Sequence, residues 1–196
     1  MPLPEHTGPR LLIVPGLHDS GPAHWQSWLH SLYPRALRVQ QDDWSTPDLQ
    51  RWAERIGDTL GHSQAPVIAV AHSFGCLALA QWIGSGDSRI TAALLVAPAD
   101  PARFGLQRRL HLAPLAARTS LVASDTDPWM SAADAAHWAD RWGSHFHNLG
   151  DAGHINAESG FGPLPLAALW VRRARQHHSR ERRPDRASPA EWSFAT

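Results

Sequence analysis

Residues 67–82, VIAVAHSFGCLALAQW, constrain the fold more than any other stretch of the chain. The apolar, β-branched run 67–71 reads as a strand buried on both faces of a parallel sheet. Residues 76–82 read as a helix packed on that strand. Between them stands Ala71-His72-Ser73-Phe74-Gly75, a small-x-Ser-x-Gly pattern. A strand that turns at once into a helix forces its corner residue into a strained conformation, and the flanking positions must be small for the two elements to approach. Such a corner lifts the Ser73 hydroxyl above the sheet edge. It also sets that hydroxyl at a helix N-terminus, where the dipole favours developing negative charge.

The rest of the chain supplies more strands and helices in alternation. Residues 10–14 form an apolar run stopped by Pro15-Gly16, a strand and its loop. Residues 22–32 place Trp25, Trp28, Leu29 and Leu32 at helical spacing. A short strand follows at 36–40. Pro47 then opens a helix over 48–60, with Leu49, Trp52, Ala53, Ile56 and Leu60 on one face and Gly61 as its stop. Beyond the organising stretch come a strand at 91–97, a long loop with one helical turn over 100–117, and a strand at 119–123. A helix over 132–142 turns Ala135, Ala136, Trp138, Ala139 and Trp142 inward. A strand at 145–149 and a last helix at 164–175 complete the series. Strand–helix alternation implies a parallel six-stranded sheet with helices on both faces, whose ligands sit at the carboxyl ends of the strands.

Length and composition narrow the function. A chain of 196 residues suffices for one domain. Its charge sums to zero, which gives no bulk attraction to nucleic acid or to a membrane surface. All 18 basic residues are arginine, a compositional bias rather than a site. The single Cys76 excludes an internal disulfide and a cysteine-based zinc cluster. No apolar run is long enough to cross a bilayer. Residues 1–10 lack the apolar centre of a signal peptide, so a cytoplasmic protein is expected. The expected organisation is one domain over 1–176 and a solvated Arg-rich tail over 177–196, pinned at most by Trp192 and Phe194.

Chemistry enters through three loops that each follow a strand. A serine hydroxyl needs a base to act as a nucleophile, and the base needs an orienting carboxylate. Ser73 follows the third strand. Asp125 and Asp127 follow the fifth, in Ala-Ser-Asp-Thr-Asp-Pro-Trp129, and His154 follows the sixth, in Gly-Asp-Ala-Gly-His-Ile-Asn156. The order Ser, Asp, His is that of the α/β-hydrolase arrangement. Asp127 is favoured over Asp125 because Pro128 restricts it to extended geometry and so aims its carboxylate. Asp100, after the fourth strand, is a third candidate. An oxyanion hole is expected from the amides of Phe74, just past the nucleophile, and Leu17, which follows Gly16 in the first strand-end loop.

These pieces resemble the small α/β-hydrolases of the retinoblastoma-binding-protein-9/YdeN-type serine hydrolase family. The similarity covers residues 10 to about 175. It rests on Val14-Pro-Gly16, His24-Trp25-Gln26-Ser27-Trp28, Gln41-Asp-Asp-Trp44 with Pro47 and Trp52, and the Ser73, Asp127 and His154 segments. Ala71 departs from the usual glycine of hydrolases, and the Arg-rich tail is a second departure. The resemblance implies a six-stranded core and a triad of Ser73, Asp127 and His154.

The expectation is therefore a single-domain, lidless α/β-hydrolase with a mainly parallel six-stranded sheet. It would cleave a small-molecule acyl substrate, a short ester first and an amide or peptide as the alternative, with no metal or organic cofactor. Trp44, Trp129 and His24 are candidate pocket residues, His24 also as a buttress of the oxyanion loop. His72 would point away from the pocket in a structural role. Cys76 reads as a small buried hydrophobe. His145 and His147 share a strand face but lack a third metal ligand. A rival class is a hydrolase-fold interaction module with little catalysis. The sequence leaves the oligomeric state and the identity of the acyl substrate open.

Overall fold

The computed structural model of the chain describes residues 8–181. Six strands form one sheet: β1 (Arg10–Val14), β2 (Leu37–Arg38), β3 (Val67–Ser73), β4 (Ile90–Pro98), β5 (Arg118–Ala123) and β6 (His145–Asn148). Their spatial order is β2-β1-β3-β4-β5-β6, and every neighbouring pair is parallel. Five helices connect them: α1 (Trp25–Leu32), α2 (Leu49–Leu60), α3 (Phe74–Gly84), α4 (Ala132–Trp142) and α5 (Pro165–Glu181). This is the expected α/β architecture.

Side-chain alternation shows why the central strands are apolar throughout. Leu12 and Val14 of β1, Ala69 and Ala71 of β3, and Leu95 of β4 face one core with Trp52 of α2, Leu77 of α3 and Trp142 of α4. Leu11 and Ile13, Ile68 and Val70, and Leu94 and Val96 face the other, with Trp25 and Leu29 of α1 and Val171 of α5. A strand buried on both sides has no polar face to offer, hence the runs that made these strands legible. Capping follows the same local logic. Asp48 accepts from the Arg51 amide to start α2, and Ser131 accepts from the Asp134 amide to start α4.

Three boundaries differ from the sequence reading. The second strand keeps only two paired residues, because it is the sheet edge and contacts one neighbour; the Val39 amide still donates to the Ile13 carbonyl at 3.0 Å. The first helix opens at Trp25, where His24 accepts the Gln26 amide on Nδ1 at 3.1 Å. The last helix runs on to Glu181, past its expected end at 175. Its inward stripe of Ala167, Val171 and Ala174 continues one turn to His178, which is buried. The remainder of the expected tail, 182–196 with Trp192 and Phe194, lies outside the described residues. The loop over 100–117 holds one 3₁₀ turn, Pro101–Phe104, and packs Leu106, Leu110 and Leu115 onto the core. Among the described residues no helix is long and apolar enough to cross a membrane.

Two features of this packing generate measurable expectations. A Cβ at Gly75 would fall within 2.3 Å of the Pro15 carbonyl oxygen and 2.7 Å of that of Val14, both backbone atoms of the strand end beside it. Gly75→Ala should cost about 1–3 kcal/mol or more in urea unfolding, since neither partner can swing away. His24 is 6% exposed, and burial, with the nearby Arg38 and His154, lowers its pKa to about 4, against an opposing pull from Asp19. The unfolded chain therefore takes up the proton first, and stability that is complete above pH 6.5 is lost as pH falls toward 4. The unfolding free energy of the wild type should drop between pH 7 and 4.5, with about 2 kcal/mol of that drop due to His24. His24→Asn keeps a capping acceptor and should flatten this part of the profile.

Candidate active site

At the carboxyl end of β3 the pairing with β4 slips by one residue between His72 and Ser73. Ser73 itself stands at φ 53°, ψ −126°, a left-handed conformation that a residue with a side chain adopts only when its surroundings enforce it. The enforcement is steric. Gly75 lies against the end of β1, and Gly16 lies against Ser73, with space for a Cβ only 2.8 Å from the Ser73 Cβ. Ala71, where hydrolases usually carry glycine, is fully buried among the strand's neighbours. The Ser73 side chain makes no capping bond to its own helix. Its Oγ lies 3.0 Å from His154 Nε2 instead.

The other face of the imidazole is fixed by a carboxylate. His154 Nδ1 lies 2.9 and 3.0 Å from the two oxygens of Asp127. A carboxylate only accepts, so Nδ1 carries the proton and Nε2 is left to accept from the Ser73 hydroxyl. The Asp127 side chain is 3% exposed and also accepts the Trp129 amide at 2.8 Å. The structure thus joins the favoured carboxylate to the histidine. Asp125 instead accepts from Asn148 Nδ2 at 2.7 Å, and Asp100 caps the 3₁₀ turn through the Ala102 amide.

The loop that carries His154 is laced from several sides. Ser124 Oγ donates to the Gly150 carbonyl and accepts the Ala152 amide; Thr126 Oγ1 donates to Asp151 and accepts the Gly153 amide. Ser159 Oγ accepts the His154 amide. From below, His72 Nε2 donates to the His154 carbonyl at 2.9 Å. The rings of His24, His72 and His154 pack in series, edge-on and then tilted, with centroids 4.7 Å apart at each step. Burial pushes the His72 pKa well below its ordinary value, and the adjacent His154 and His24 add to that effect. His24 thus packs against His72, which in turn packs against His154.

The first strand-end loop approaches from the other side. Gln26, fully buried, donates to the Val14 carbonyl at 3.0 Å and accepts from Ser20 Oγ at 2.6 Å. These bonds tie α1 to the chain on both sides of Gly16 and Leu17. Leu17 is half-buried and borders the core near Trp44. Trp44 packs its ring 5.8 Å from that of Trp52, and its carbonyl accepts the His18 amide. Trp129 is 39% exposed, with its ring 5.9 Å from that of His154. Cys76 is buried with its Sγ 3.5 Å from the Val96 carbonyl, and burial holds its thiol well above the ordinary pKa. Among the described residues no three His, Cys, Asp or Glu side chains gather as a metal site.

Sequence reasoning missed the supporting groups Ser124, Thr126, Ser159 and Gln26. Gln26 alone carried a signal, as a polar residue inside an otherwise apolar helix face beside two tryptophans. Ser124 and Thr126 look like ordinary loop residues until their partners, 25–28 positions away, are in place, and Ser159, five positions past His154, looks no different.

Residues 11–173 match the serine hydrolase family. A YdeN-like protein from Pectobacterium atrosepticum superposes with a TM-score of 0.83 at 39% identity, over 87% of this chain and 92% of that one. The ydeN gene product of Bacillus subtilis superposes at 0.72 with 19% identity, over 84% and 97%. A Bacillus cereus carboxylesterase does so at 0.57 with 15% identity, over 90% of each; these last two likenesses concern the fold. No curated protein sequence matches significantly. With a family match over most of its length and a close YdeN-like relative, the chain belongs to the serine hydrolase family.

Proposed function

We propose that the protein hydrolyses small carboxylic esters through an acyl-enzyme formed on Ser73. The observation that carries this reading is the unbroken line Ser73 Oγ, His154 Nε2, His154 Nδ1, Asp127, with both hydrogen-bonded steps at 2.9–3.0 Å. As Ser73 Oγ attacks the substrate carbonyl, His154 takes its proton on Nε2. The imidazolium so formed is stabilised and held in register by Asp127. The carbonyl oxygen becomes an oxyanion, which in this reading the amides of Phe74 and Leu17 receive; Phe74 opens α3, whose N-terminus favours that charge. Collapse of the tetrahedral species expels the alcohol, which takes the proton from His154. A water then repeats the sequence and regenerates Ser73.

Ester cleavage is preferred over amide cleavage on chemical grounds. An alkoxide or phenoxide leaves readily, and no feature of the described residues adds a further acid for a poor amine leaving group. Leu106, Leu110 and Leu115 of the loop over 100–117 pack onto the core, which suits short acyl chains in an open site. The same triad serves an amide, so paired p-nitrophenyl acetate and acetyl p-nitroanilide assays decide between them. An interaction module would have no use for a strained serine joined to a buried imidazole–carboxylate pair.

Turnover of p-nitrophenyl acetate should fall about 10⁴-fold or more in Ser73→Ala, and equal rates would reject the reading. Asp127→Asn should lose about 10⁴-fold in kcat with its geometry intact, because the amide imposes the wrong imidazole tautomer. A fluorophosphonate probe should label the wild type stoichiometrically at Ser73, read by peptide mass spectrometry.

A further inference from the structure

The 3₁₀ turn Pro101–Phe104 bridges the two halves of the site. At one end, the Phe104 ring lies 5.1 Å from that of Phe74, the residue directly after Ser73. At the other, the Asp100 amide donates to the Trp129 carbonyl at 3.3 Å. Between them Arg103 reaches over the loop that bears Asp127. Its Nη2 donates to the Pro128 carbonyl, and its guanidinium carbon lies 5.3 Å from the centroid of the Trp129 ring. That indole in turn lies 5.9 Å from the imidazole of His154. The one cation so placed is therefore a single aromatic ring away from the group that handles the proton.

Its chemistry is unspent. Arg103 is exposed, and among the described residues no carboxylate lies within ion-pair distance of it. The nearby acids are occupied: Asp127 by His154 and the Trp129 amide, Asp100 by the Ala102 amide, Asp125 by Asn148. A guanidinium presents five N–H donors in a planar fork, and one bond to a carbonyl leaves an edge free. Stacking on Trp129 and the Pro128 bond fix its plane in advance, so less side-chain entropy is lost when an anion docks.

We propose that Arg103 and Trp129 form a subsite for a carboxylate carried by the substrate, so that the enzyme prefers esters bearing a second, free acid group. The inference rests on the hydrolase reading above. The indole would flank the ester's carbon skeleton while the guanidinium edge takes the carboxylate in a charge-assisted bond. The carboxylate could belong to the alcohol portion, which departs on the His154 side, or to the acyl portion, which lies toward Phe104; both use the same chemistry.

Two substrate pairs test this. For the leaving-group side, kcat/KM is measured for 4-carboxyphenyl acetate against 4-carbamoylphenyl acetate. For the acyl side, p-nitrophenyl hydrogen adipate is compared with p-nitrophenyl hexanoate. In at least one pair the acid-to-neutral ratio should fall about fivefold or more in Arg103→Gln, recover in part in Arg103→Lys, and fall for the wild type in 0.5 M NaCl. Because the readout is a ratio within each variant, general loss of activity or partial unfolding cancels. Arg172→Gln, an exposed change on α5, should leave both ratios as they are. Ratios that do not respond to Arg103 in either pair, while the esters are still turned over, overturn the subsite alone. Failure of the wild type to turn over any ester or to take up the fluorophosphonate overturns the hydrolase reading and the subsite with it.

Discussion

A serine held in a backbone conformation that its own side chain resists is the constraint on which this structure depends. Such a residue costs on the order of 1–3 kcal/mol and persists only where its surroundings over-determine it. Here the surroundings are the best-buried part of the molecule. Every residue of β3 is buried, as are residues 74–80 of the helix that follows, and the neighbouring strand end presses against Gly75. The turn cannot relax without parting strand from helix and opening both apolar layers. The gain is a hydroxyl that does not cap its own helix and so stays available to an imidazole.

Electrostatics around that imidazole follow from burial. In the proposed reaction His154 becomes charged beside two other histidines, and it would face repulsion if either were protonated. His24 and His72 are both held neutral near pH 7 by desolvation, and the charge of His154 itself helps to keep them so. The imidazolium of that reaction would meet the opposing charge of Asp127 across a hydrogen bond from which solvent is nearly excluded. His72 adds a mechanical role by holding the His154 backbone from beneath.

Much of this was legible in the chain. The strands are buried on both faces, so their apolar runs were continuous; α2 and α4 carry one apolar stripe each and were read to within a residue. Ser73, Asp127 and His154 each follow a strand, and topology alone brings strand ends together. The choice of Asp127 over Asp125 rested on the ring of Pro128, and the structure places Asp127, not Asp125, against the imidazole. What escaped were interactions whose partners lie far apart in sequence. Nothing local tells that Ser124 accepts from Ala152, or that His24 packs against His72. The last helix was cut short because its final turn is rich in arginine and histidine, and a single buried histidine sustains the stripe there.

The one sulfhydryl of the chain, Cys76, sits a turn beyond Ser73 with no surface to present and a proton it holds tightly. For an electrophile that seeks thiolates, the folded molecule is in effect cysteine-free. Haloacetamides and maleimides would therefore discriminate cleanly between the proposed serine nucleophile and that of a cysteine hydrolase. A cysteine installed at any outward-facing position becomes the sole handle for a dye or a surface tether, with the native thiol left in place.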